Sequence, residues 1–287
     1  MKTIIAVCTL FLLCSSHHAH CQVPDTAVKS RRYHVNKFTT SVVIAAGLGT
    51  DAFAISRIKD KPGLTDDEIL ALDPGEINSI DRWALHQNPA NYKMYSRLSD
   101  EIEPPLFLIL PALLGLDKKI PKKDWLDIFL MYAEGHTITF TFYNYSWLGP
   151  TFQNRFRPLT YYTQLPMSAR KDGGNRNSFY SGHTASVAFT TFFVTKVYCD
   201  YHPDLGAIKY LLYTAALIPP LAMGYLRVKA LAHFPSDDMV GLTLGSAIGI
   251  IIPELHKFNY KGITLGMSCA PETLGLSICW TPPVHSY

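Results

Sequence analysis

After a polar stretch at 22–37, apolar runs and polar connections alternate along the chain. Residues 38–55 are mostly small and apolar and predict a first helix. From 57 to 103 the chain turns polar. Within it, Thr65-Asp66-Asp67-Glu68 has the form of a capping box ahead of Ile69-Leu70, so a short amphipathic surface helix is expected there. Asp73-Pro74-Gly75 should end it. Ile80, Trp83 and Leu85 suggest a second element, resting on a membrane or on a helical bundle. Apolar helices are then expected in quick succession at 104–116, 125–148, 184–198, 210–226 and 239–255, and Pro219-Pro220 should kink the fourth of these. The tail changes period. Ile263, Leu265 and Met267 alternate with polar or small residues, as do Leu274, Leu276 and Ile278, which predicts a hairpin over 260–280.

The expected fold is therefore all-α: a membrane-associated bundle of about six helices with a small C-terminal β-hairpin. Composition supports the membrane. Of 287 residues, 48% are hydrophobic and only 17% charged, where soluble domains carry about a quarter. Several of the runs are shorter than the ~20 residues of a spanning helix. The run at 125–148 holds Glu134, His136 and Asn144, which at that depth should face the bundle interior and serve structure. A formal net charge of +3, with no basic stripe, argues against nucleic acid as a partner. Met1-Lys2 and the apolar run at 4–13 have the form of a signal sequence, with Ala19-His20-Cys21 ahead of a cleavage. Cys8, Cys14 and Cys21 would leave with it. The residues before Cys14 and Cys21 fit a lipid anchor poorly. Cys199, Cys269 and Cys279 have no metal-ligand spacing, and the last two could pair across the hairpin in an oxidising compartment. The expected division is a leader at 1–21, an N-terminal helix and polar surface segment at 22–94, a helical-bundle domain at 95–257 and a hairpin tail at 258–287.

Three short stretches carry candidate chemistry: Arg155-Phe156-Arg157-Pro158, Ser181-Gly182-His183, and Arg227 with His233 and Asp237. Arg157 and Arg227 suit an oxyanion, because a guanidinium stays charged and offers a planar fork of donors. Ser181 and Gly182 precede a helix-like run, where free N–H groups and the helix dipole favour an anion and glycine allows close approach. A neutral imidazole can attack phosphorus and a protonated one can protonate a leaving oxygen, so His233 and His183 divide into nucleophile and acid. Asp237, four residues beyond His233, can hold one ring N–H and fix the tautomer. Taken singly, each stretch has an ordinary explanation: a solvated loop before a proline, a surface pair, a helix start. Their order, each abutting an apolar segment, does not.

The chain resembles the type 2 phosphatidic acid phosphatase/vanadium-haloperoxidase superfamily, whose signature runs K-x6-R-P, P-S-G-H and S-R-x5-H-x3-D. The three parts fall here at 150–158, 180–183 and 226–237, and the resemblance covers about 95–255. It implies a bundle of about six helices with the active site at one end. It also implies a phosphohistidine on His233, Asp237 orienting that ring, His183 protonating the leaving group, and Arg157, Arg227, Ser181 and Gly182 holding the phosphoryl oxygens. Tyr180 stands for a proline, Leu226 for a serine, and Pro150 for the lysine. Arg155 is the expected substitute for that lysine, with Arg170, Lys171 and Lys229 as further candidates.

The activity expected on these grounds is a metal-independent phosphatase, needing no cofactor, that hydrolyses a lipid phosphate or polyprenyl diphosphate. A vanadate-dependent haloperoxidase or a non-catalytic phosphate-binding membrane protein are the alternatives. Lys118, Lys119, Lys122 and Lys123 argue for a cytoplasmic connection, which puts the site on the periplasmic face of an inner membrane. A cleaved leader conflicts with this unless 38–55 does not cross, the reading adopted here over an uncleaved leader or a soluble periplasmic domain.

Overall fold

The computed structural model describes residues 32–257 and two strands beyond them. The expected leader and its three cysteines lie outside the described residues. The chain divides into one unit of Val35–His256 and another of Met1–His34 with Lys257–Tyr287.

Among the described residues the larger unit holds nine α-helices: α1 Lys37–Lys59, α2 Asp66–Leu70, α3 Tyr92–Leu113, α4 Trp125–Tyr145, α5 Met167–Arg170, α6 Gly182–Tyr201, α7 Ile208–Ala216, α8 Ile218–Lys229 and α9 Pro235–Leu255. Helices α2 and α5 are single turns, and α7 and α8 follow one another across Leu217, which leaves six long rods. Three of these are long and apolar enough to cross a membrane: α1, the 22-residue rod Ile208–Lys229, and α9. The protein is a membrane protein on this composition, and the segment expected not to cross is one of the three.

Local chemistry explains most boundaries. Asn36 caps α1 through Thr39 N (3.2 Å). The Thr65 capping box forms in both directions, Thr65 N to Glu68 Oε2 at 2.8 Å and Glu68 N to Thr65 Oγ1 at 3.2 Å. Pro219 and Pro220 fall in the first turn of α8, where missing N–H groups cost least, and the rod breaks just before them. Helix α3 departs from expectation. It begins at Tyr92 rather than at 104 and carries Pro104, Pro105 and Pro111 inside it. Its packing on α6 and α8 holds it helical through residues that alone would have ended it.

Helix α6 is the core. It buries Ala185, Val187, Ala188, Phe189, Phe193 and Val197 against α3, α4, α8 and α9. Helix α9 lies closest to it. A Cβ on Gly241 would stand 2.5 Å from the Ser181 carbonyl oxygen and one on Gly249 2.7 Å from that of Phe189, and one on Gly245 would run into Ala185. Helix α1 packs along α4, and polar links fix the pair. Thr40 donates to Glu134 (3.4 Å) and Asn144 to Asp51 (3.0 Å). Both partners advance together in sequence, so α1 and α4 run in the same direction. Glu134 also meets His256 (2.8 Å), and His136 contacts the hydroxyls of Tyr132 and Thr190 (3.0 and 3.1 Å). Glu134, His136 and Asn144 are thus each used between helices.

In the other unit, β1 Ile263–Ala270 and β2 Thr273–Trp280 pair antiparallel. Cys269 stands opposite Leu274 and Cys279 opposite Thr264. Along the ladder the two cysteines lie far apart, about 16 Å at ~3.3 Å per residue, so the disulfide considered between them is not compatible with this register.

Candidate active site

The signature residues gather at one end of the larger unit. Two loop segments lie side by side there, joined by a parallel bridge between Arg155 and Asn177, by Arg157 N to Asn175 O (2.8 Å) and by Ser178 N to Arg155 O (3.0 Å). This ribbon carries Arg157. Ser181 then caps α6 through Thr184 N (3.4 Å), and its own N–H donates to the Asp237 carbonyl (3.2 Å), which ties the start of α6 to the start of α9. The connection from α8 to α9 brings in His233. Leu231 in that connection has φ 56°, a left-handed conformation that is costly for a leucine. It is held by full burial against Leu159 and Tyr162 and by the Leu159 N–H on its carbonyl (3.1 Å).

His233 is 2% exposed. Its Nδ1–H donates to the Ser178 carbonyl at 2.5 Å, which leaves Nε2 with the lone pair. Burial and the charges of Arg227 and Arg157 hold the ring well below the ordinary imidazole pKa, with the Ser178 carbonyl opposing them. The ring is therefore neutral and nucleophilic.

The orienting group differs from expectation. Asp237 Oδ2 lies 3.9 Å from Nδ1 and accepts instead from Ser178 Oγ (2.6 Å) and Phe234 N (2.8 Å). Asp237 acts on His233 through Ser178, because as the third residue of α9 its carboxylate turns back to cap that helix. Arg155 is a second correction. Its Nη1 meets Asp237 Oδ1 and Ser236 Oγ, and its Nη2 meets Asp81 Oδ2 at 2.6 Å. With two carboxylates to neutralise, it is not a spare phosphate-binding cation. The other candidates are also engaged: Arg170 on the Thr160 carbonyl, Lys171 on Asp66, and Lys229 over the Trp83 and Tyr225 rings.

Arg157 and Arg227 behave otherwise. Both have a buried Nε with no hydrogen-bond partner in the described residues. Burial and the neighbouring Arg227 charge lower the Arg157 pKa. Two guanidinia this close, with donors unused, form a site for an anion. Arg227 Nη1 donates to Ser99 Oγ (2.9 Å) and lies 3.3 Å from Asp100 Oδ1.

Asp100 also meets His183, whose Nε2 is 3.1 Å from Asp100 Oδ1 and 3.3 Å from Glu103 Oε2. The hydrogen bond from His183 and the charge of Arg227 keep the Asp100 carboxyl below its ordinary pKa. His183 thus has two carboxylate partners at Nε2, both from α3. Ser181 departs from a purely phosphate-facing role, since its hydroxyl bonds Thr184 N and Thr184 Oγ1 (3.0 Å).

Sequence reasoning missed Asp81, Ser99, Asp100, Glu103 and Ser178. The acidic run Asp100-Glu101-Ile102-Glu103 directly ahead of Pro104 was a usable signal for the α3 residues. Asp81, fully buried, accepts from Ser236 N (2.9 Å) and Arg155, and nothing local in sequence marks it.

Residues 129–261 match the PAP2 superfamily. The chain is similar to the crystal structure of a transmembrane PAP2-type phosphatidylglycerolphosphate phosphatase from Bacillus subtilis, at 18% identity and a TM-score of 0.42, over 76% of this chain and 95% of that one. No curated protein matches. His183, Arg227, His233 and Asp237 all fall inside the matched residues, and this stretch, just under half of the chain, is that of a PAP2-superfamily phosphatase-type hydrolase.

Proposed function

We propose that the protein hydrolyses a lipid phosphate or polyprenyl diphosphate through a phosphohistidine on His233. The observation that carries this reading is the pair of unpartnered guanidinium Nε donors beside a neutral, tautomer-fixed imidazole. Arg157, Arg227 and the free N–H groups at the α6 N-terminus take the phosphoryl oxygens. His233 Nε2 attacks phosphorus, the bond from phosphorus to the leaving oxygen breaks, and His183 gives that oxygen its proton. Water then gives a proton to the now neutral His183 and attacks the phosphorus, the bond from phosphorus to His233 Nε2 breaks, inorganic phosphate leaves, and both histidines return to their starting forms. Asp100 and Glu103 hold His183, and Ser178 holds His233. Positive charge for the phosphoryl group comes from arginines, and turnover in chelator is expected on that ground. A lipid is favoured as substrate because Arg227 lies near the end of one membrane-length rod and Asp237 at the start of another.

The test is phosphate release from lipid phosphates and polyprenyl diphosphates by the full chain in detergent, with and without chelator and vanadate. His233→Ala should abolish release and leave the fold intact. Labelled phosphate trapped on another residue, or release by His233→Ala above a few per cent of the parent rate, would falsify the nucleophile assignment.

A further inference from the structure

Arg157 and Arg227 can hold two phosphoryl oxygens, and the positions from which a further side-chain donor was expected supply none. Pro150 has no side-chain donor, and Arg155 is consumed by Asp81 and Asp237. One side chain at the same place is still unused. Tyr143 lies in the last turn of α4, and the hydroxyl end of its ring covers Gly182. A Cβ at 182 would meet the ring atoms Cζ, Cε1 and Cε2 at 3.2–3.3 Å, so glycine there makes room for the phenol as well as for an anion. The ring is fixed from the other side by Tyr180, edge to face at 5.4 Å. The charges of Arg157 and Arg227 both act on the phenol. Its hydroxyl makes no hydrogen bond among the described residues.

Packing alone explains the ring but not the hydroxyl. A phenylalanine would fill the same space against Tyr180 and Gly182. Arg157 and Arg227 beside it each keep a buried Nε without a partner among the described residues, and the hydroxyl of the half-buried Tyr143 is free to donate as well. Three unused donors meeting at the N-terminus of α6 have one common solution, an oxyanion.

We propose that Tyr143 is a phosphoryl-binding residue whose hydroxyl donates to a non-bridging oxygen of the group held by Arg157, Arg227 and the α6 N-terminus. The inference rests on the phosphoryl-site reading above and adds a donor to it. The phenol stays neutral throughout. It helps to hold the oxygens as charge redistributes, and no bond to it forms or breaks.

The experiment compares the full chain with Tyr143→Phe in detergent. Binding of inorganic phosphate and of orthovanadate is measured by calorimetry, alongside thermal unfolding and kcat/KM. The substitution keeps the ring against Tyr180 and removes only the hydroxyl. Affinity for both probes should fall about ten- to a hundredfold, the usual worth of a hydrogen bond to a charged group, with kcat/KM falling alongside and the melting temperature unchanged. Equal affinity in the parent and Tyr143→Phe overturns the proposal and leaves the phosphoryl site standing. A parent chain that binds neither probe overturns the phosphoryl-site reading, and this inference with it. Should Tyr143→Phe melt early, Tyr143→Leu supplies an apolar side chain with no donor at that position; parent affinity in a folded Leu variant overturns the proposal just as well.

Discussion

Burial and two guanidinia act on His233 in the same direction, and the Ser178 carbonyl opposes them with a single hydrogen bond. The balance keeps the imidazole neutral far below its ordinary pKa of 6.5. In a profile of kcat/KM against pH, which reports the free enzyme, the acid limb belonging to His233 should fall below 6.5 once substrate ionisation is allowed for; a limb at or above that value contradicts the assignment. The same depression has a stability sign. Below 6.5 the unfolded chain takes up a proton that folded His233 refuses, so acidification costs stability, and above it the group contributes no pH dependence. Asp100 makes a different prediction. Its carboxylate holds His183, so Asp100→Asn should slow substrates with poor leaving groups by about tenfold or more, within the ~10²–10⁴ that general acids supply. Substrates with good leaving groups, which need little proton transfer, should be affected much less. An equal loss on both would assign Asp100 to binding through Arg227 instead. These residues also mark what the sequence could reveal. His183, Arg227, His233 and Asp237 are legible because fixed spacing around helix ends reports their shared chemistry. Ser178 and Asp81 act through a backbone carbonyl and a contact 74 residues away in sequence, which no local pattern encodes.

At the scale of elements, the approach of α9 to α6 sets the geometry of the site. Gly241, Gly245 and Gly249 place α9 against the backbone of α6, and Asp237 and Ser181 sit at the adjoining ends of those two helices. Gly245→Ala puts a methyl into the Ala185 carbonyl. Overpacking of this kind costs about 1–3 kcal/mol, more than the ~1 kcal/mol that alanine gains over glycine in a helix. The variant should melt earlier and lose phosphate release, although it touches no group that meets the phosphate. Parent-like melting and turnover would show that the two helices can part without disturbing the site. The apolar runs announced helices α4, α6 and α9 to within a few residues. Periodicity did not announce the glycine contacts, since a glycine at four-residue spacing means something only once the facing helix is known. It failed outright at the start of α3. The apolar run begins at Pro104, whereas the helix starts twelve residues earlier in polar sequence and packing on α6 and α8 carries it through Pro104 and Pro105.

Across the whole molecule, the site draws on more chain than either the signature or the family match. Asp81 comes from the segment expected to be a surface appendage, and Ser99, Asp100 and Glu103 come from α3, ahead of the matched residues 129–261. The expected boundary near 94 runs through α3 instead of beside it. The same direction of α1 and α4 has a further result. Tyr143, close to the end of α4, covers Gly182 at the site, and Asp51 in the later half of α1 meets the neighbouring Asn144, while Thr40 near the start of α1 meets Glu134 at the middle of α4. The later half of α1 thus lies at the level of the proposed phosphate-binding groups, and its beginning points away from them. Once α1 spans the bilayer, a membrane-impermeant maleimide added to sealed vesicles should reach a cysteine at Asn36→Cys or one at Asn154→Cys, but not both, with the native cysteines replaced by serine. Labelling of both from one face would mean that α1 lies along the membrane surface. Otherwise, a single determination of sidedness at residue 36 tells which aqueous phase delivers the attacking water and receives the phosphate.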